Sequence, residues 1–170
     1  MADRWRGIVL MRNDLLYLHR LLQLVVVTVL GLLSAPVWAG TWAAGSFDND
    51  GAWDWVGENI TATSSVASLY DAFKQVPEKG YIDVDFCDAA VAAAEITAAL
   101  KTGKYQKLPK EIAAWAKRNR RGYQPALSTS ALQALNICMD VKRSELAQLW
   151  QEANDKEWIM LMHELQSKLR

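Results

Sequence analysis

Residues 83–103, DVDFCDAAVAAAEITAALKTG, hold the key to the architecture. Cys87, Val91, Ala94 and Ala98 recur at helical spacing, and the small residues among them let a neighbouring helix approach closely. Asp83 or Asp85 supplies an N-cap side chain, and Gly103 supplies the C-terminal stop. The stretch therefore predicts a helix running to about Lys101, the central and most buried element of the chain.

On its N-terminal side, Val66, Leu69, Tyr70, Phe73 and Val76 follow 3.6 spacing behind Thr63-Ser64-Ser65. They predict a helix capped by those hydroxyls and stopped by residues 77–80. Residues 81–85 alternate, but they are too short and lack a partner run, so they read as a loop. Further back, Asp48-Asn49-Asp50 offers three N-cap side chains in a row. A short amphipathic helix follows with Ala52, Trp53, Val56 and Ile60 inward. Trp55 lies off that stripe and must pack on the lead-in or on another helix, and Phe47 staples onto the first turn.

On the C-terminal side, Leu108-Pro109 opens a helix to about Arg120, with Ile112, Trp115 and Ala116 inward. Residues 117–121, KRNRR, form a dense basic run. An anionic surface is one reading of it, but a solvated, dipole-complementing helix end is favoured. Residues 122–128 read as a loop before a helix bearing Leu132, Leu135, Cys138, Met139 and Lys142. In the last segment the stripe Leu146, Leu149, Trp150, Ala153 slips by one residue before Trp158, Leu161, Met162, Leu165, Leu169. A break at Asn154-Asp155 follows, with Asp155 capping a new helix. The expected fold is all-α: an irregular or orthogonal bundle of about six short helices after an N-terminal signal helix.

The leader is read from its charges. Arg4, Arg6, Arg12 and Arg20 precede the uncharged run LLQLVVVTVLGLL, and then SAPVWA. A basic start, an apolar middle and small residues at the cut are the layout of a secretory signal. Cleavage between Ala39 and Gly40 is expected, from a start at Met1 or Met11, giving export to a periplasm or medium. The alternative is an uncleaved membrane anchor, since residues 21–39 approach the length of a spanning helix. Four of the 19 basic and two of the 19 acidic residues fall in the leader, leaving 15 against 17 in residues 40–170. No basic field is there to attract nucleic acid. At 170 residues the chain has room for one domain, placed at residues 40–170.

With the helices placed, Gly40-Thr41-Trp42, Gly45, Phe47-Asp48-Asn49-Asp50, Ala52 and Asp54-Trp55 resemble the opening of the domain-of-unknown-function family numbered 4259. Residues 92–96 (AAAEI), Leu108-Pro109, Ser144-Glu145-Leu146 with Trp150, and Trp158 are also similar to that family. The resemblance spans roughly residues 40–169. Ala43-Ala44 departs from it where a glycine is usual, and so does the leader, because many relatives begin directly at the motif. It implies a fold class and no activity.

The candidate site residues are those of the opening motif: Trp42, Phe47, Asp48, Asn49, Asp50, Asp54 and Trp55 as a binding edge. Asp48, Asp50 and Asp54 also suggest half of a calcium loop, but the later ligands and the terminal Glu are missing. Capping accounts for them without metal. Asp83, Asp85, Asp88 and Glu95 form a second acidic group, of which Asp88 and Glu95, seven apart on one helix face, are placed to meet the first across the bundle. Acids at a helix N-terminus are the simpler reading. His163 is the sole histidine after the leader, and no glycine-flanked serine elbow or phosphate loop occurs. No cofactor is expected. Cys87 and Cys138 fall on apolar stripes and leave two readings open. One is a disulfide between the third and fifth helices, in keeping with an oxidising compartment. The other, slightly favoured by the demands of bridge geometry, is two separate buried thiols.

The expectation is an exported, non-enzymatic helical module that binds another protein. The alternatives are a metal-binding protein or hydrolase using Asp48, Asp50 and Asp54, and a structural protein held at the membrane by its leader.

Overall fold

The structure, a computed structural model, describes residues 43–170. Trp42 and the whole leader, with the expected cut at Gly40, lie outside the described residues. Seven α-helices follow one another: α1 (Asp50–Asn59), α2 (Ala67–Lys74), α3 (Val84–Thr102), α4 (Lys110–Asn119), α5 (Pro125–Cys138), α6 (Glu145–Glu152) and α7 (Lys156–Leu169). A 3-10 turn, Arg120–Gly122, sits between α4 and α5. The fold is all-α. Among the described residues no strand forms, and residues 81–83 make an isolated bridge from Ile82 to Ser144. No helix of the described residues is long and apolar enough to cross a membrane.

α3 is the axis, and each of the other six helices packs against it. It is buried on every side from Cys87 to Leu100, Glu95 excepted, as expected of a helix apolar all round. Its alanines allow that crowding. At the crossing with α1 the close approach also depends on Gly51, where an added Cβ would lie 3.0 Å from Asp88 Oδ2 and 3.2 Å from Asp88 Cβ. Ala52 beside it is fully buried.

The ends of α3 are closed by different means. Gly103 ends it in the left-handed conformation, φ 72°, donating its N–H to the Ala99 carbonyl at 2.8 Å. At the start Asp83 occupies the cap position, but its side chain makes no capping bond. Glu145, the first residue of α6, reaches across instead, and its Oε2 accepts the Val84 N–H at 2.9 Å. Ile82 N–H to Arg143 O and Glu145 N–H to Ile82 O fasten the same two segments.

Cys87 and Cys138 are joined in a disulfide, with Cα atoms 5.5 Å apart. The inclination toward separate thiols is thereby corrected. α3 and α5 pack closely enough for their fully buried cysteines to meet.

Three boundaries differ from those expected. α5 begins at Pro125 rather than after Ser128, because a proline at the first helical position gives up an N–H that has no partner there anyway. It ends at Cys138, short of Lys142: Asp140 turns the chain by accepting from Arg143 and Ser144 N–H groups on its carbonyl and from Lys142 on its side chain. Of the hydroxyls expected to cap α2, Ser65 meets its start, its Oγ accepting the Ala67 N–H at 3.3 Å, while Thr63 and Ser64 are engaged elsewhere. Ser64 and Thr61 bond each other's backbone, Ser64 Oγ accepts the Trp115 indole N–H at 2.9 Å, and α2 starts only at Ala67. The break in the last segment falls where the stripe slips. Asn154 takes φ 52°, and Asp155 Oδ1 accepts the Glu157 N–H at 2.8 Å to start α7.

Candidate functional site

The opening motif is a capping device, and most of its residues can be assigned a part in it. Gly45 N–H donates to Asp48 Oδ2 at 3.2 Å, and Asp48 N–H returns to the Gly45 carbonyl at 3.1 Å. A side chain at Gly45 would collide with that carboxylate. Asn49, 6% exposed, is the N-cap of α1, its Oδ1 accepting the Ala52 N–H at 2.7 Å. Asp50 lies in the first turn, where a negative charge suits the helix dipole. Asn49→Ala is expected to cost about 1 kcal/mol, within the range for lost N-caps, as a fall in the urea midpoint at unchanged slope.

Of the two tryptophans of α1, Trp53 leaves the inward place expected of it and is 42% exposed, while Trp55, expected to pack away from that stripe, is buried against the core. Helix phase alone does not decide this. The Trp53 indole N–H donates to the Phe47 carbonyl at 2.8 Å, and the two rings lie 6.2 Å apart at 55°. Phe47 thus staples onto α1 through an outward tryptophan, which is held in place rather than free. Asp54 is exposed beside it.

The second acidic group divides. Asp83 and Asp85 are exposed at the start of α3. Asp88 is buried, 4% exposed, and meets α1 at Gly51 together with Asp85, whose Oδ1 lies 3.3 Å from the point a Gly51 Cβ would take. Loss of hydration, and then the charge of Asp85, push its carboxyl up to about 7. Asp88, read as one of the acids of the α3 N-terminus, lies near that end but buried, on the face of α3 turned to α1. Glu95 belongs to another cluster, where Lys168 Nζ lies 3.2 Å from Glu95 and 3.3 Å from Glu164, and Lys107 lies 2.9 Å from Glu164. Among the described residues no three His, Cys, Asp or Glu side chains come together as metal donors. His163 is exposed and lies 3.3 Å from Gln166 Oε1.

A cleft of about 480 Å³ opens between α1 and α4. Val56, Ile112 and Trp115 floor it, Trp53 and Ile60 wall it, and Glu111 and Arg118 border it. Gly57 lines it too, and an added Cβ there would meet no atom within 4 Å. A glycine inside a helix costs about 1 kcal/mol against alanine, and no packing requires this one. That glycine is the sequence signal for the cleft; Trp53, Gly57, Glu111 and Arg118 were not among the expected site residues.

The family model described as "Domain of unknown function (DUF4259)" matches residues 40–160. No curated protein and no solved structure matches the chain.

Proposed function

The chain belongs to the DUF4259 family, and from that premise we propose that it is an exported, non-enzymatic module that binds another protein through the outer face of α1. The observation that carries this reading is Trp53. An indole clamped by a hydrogen bond and a ring contact yet left 42% exposed is poorly accounted for by core formation. Rigid aromatic side chains of this sort are frequent binding anchors. Asp48 and Asn49 make the local backbone bonds that shape the start of α1 and so fix the helix that carries Trp53. Export rests on the basic start, uncharged run and small residues of the leader.

Cross-linking in the envelope of the source cell, followed by affinity recovery, tests the binding. A protein recovered with wild type and lost with Trp53→Ala, while circular dichroism shows the helical fold retained at the assay temperature, is the expected result. Equal recovery by both proteins, or recovery of none while a small molecule raises the melting temperature, counts against it. Mass spectrometry of the mature N-terminus is expected to find Gly40; an intact leader would point to the anchored alternative.

A further inference from the structure

Resting on that protein-binding reading, we propose that the α1–α4 cleft receives an amphipathic helix of the partner, with an apolar face for the cleft floor, a carboxylate for Arg118 and a cation for Glu111. Three observations converge on it. First, the cleft is a groove between two helices with an apolar floor of Val56, Ile112 and Trp115, the shape into which the side-chain ridge of a third helix packs. Trp115 is itself fixed by its bond to Ser64 Oγ, so the floor is preformed.

Second, Glu111 and Arg118 are exposed and seven residues apart on α4, about 10 Å at 1.5 Å per residue. Neither has an ion-pair or hydrogen-bonding side-chain partner among the described residues. Two opposite charges two turns apart match a partner helix with opposite charges at the same spacing on either side of its apolar residues. Third, Gly57 keeps the groove open at a position where a larger residue would fit the fold without collision. Alanine there would favour the helix, so the glycine serves the space beside α1 rather than α1 itself.

The test uses the full chain with designed, mainly alanine helical peptides bearing leucines at i, i+3 and i+7. Their flanking residues are Glu and Lys at opposite ends, Glu at both, or Lys at both. Tryptophan fluorescence and calorimetry report binding. The mixed peptide is expected to bind wild type about fivefold more tightly than either uniform peptide, the scale of one exposed ion pair. Arg118→Glu should make the doubly Lys peptide the tightest. Gly57→Leu should abolish binding at an unchanged or raised melting temperature.

Failure of all peptides to bind wild type, an unchanged ranking with Arg118→Glu, or normal binding by Gly57→Leu would each overturn the proposal. So would a dimer of the chain that Gly57→Leu dissolves, which would make a second copy the occupant. A native partner lost with Trp53→Ala but kept by Gly57→Leu removes the groove and leaves the protein-binding reading standing.

Discussion

Replacing Cys87 and Cys138 together by alanine is expected to lower the stability of the fold by about 4 kcal/mol, from the chain-entropy cost of a loop of this size. The bridge closes a separation of 51 residues, which takes in nearly all of α3, all of α4 and α5, and their connections. In the unfolded chain that closure removes conformations that the open chain would regain. The fall in melting temperature should be on the order of 10–15 °C for a domain of this size. Both sulfurs are fully buried, so reductant alone should act slowly, through unfolding. Thiol titration should find no free thiol in denaturant without reductant and two with it. Two free thiols in denaturant alone would remove the bridge and the stability effect together.

The helical scaffold was legible wherever a local signal had no competitor. The stop at Gly103 and the break at Asn154-Asp155 each rest on a few adjacent residues, and both stand as read. The misreadings share one cause: a partner distant in sequence or a competing local bond. Of Thr63-Ser64-Ser65 only Ser65 serves the start of α2, while Ser64 answers to Trp115, 51 residues on. Asp83 holds the cap position of α3 while Glu145, 61 residues from Val84, makes the bond. Trp53 has the phase of a core residue, but the Phe47 carbonyl draws its indole outward. For the candidate site, the capping chemistry of residues 48–50 was legible because it is local. The cleft was not, since only the three-dimensional placement of α1 and α4 on its two sides shows that Gly57 faces open space.

Asp88→Asn is expected to stabilise the fold increasingly as pH rises above about 4, with its full effect from about 7 upward. Asp88 lines a small, mainly apolar cavity with Ala44, Val91, Leu146, Trp150 and Trp158, Asn49 being its one other polar residue, and the two indoles are stacked 6.1 Å apart. Asn49 turns its Oδ1 to the Ala52 N–H, the apolar neighbours offer the charge little solvation, and Asp85 repels it. Its carboxyl moves from the ordinary 3.8 up to about 7 on folding, so between those values the folded chain binds a proton that the unfolded chain has lost. The stability tied to that proton is fully present below about pH 4 and is lost as pH rises through about 7. The limit is about 4 kcal/mol from the full displacement of the pKa. The positive end of α1 beside the carboxylate offsets part of it. Asparagine keeps the shape and carries no charge, so urea denaturation at pH 8 should find the variant about 1–3 kcal/mol more stable than wild type. At pH 4 the two proteins should be nearly equal. Glu164 contributes the opposite trend, its carboxyl held low first by hydrogen bonds from Lys107 and Lys168. It is common to both proteins and cancels in the difference. A stability difference that stays constant from pH 4 to pH 8 would show that Asp88 does not change its proton affinity on folding.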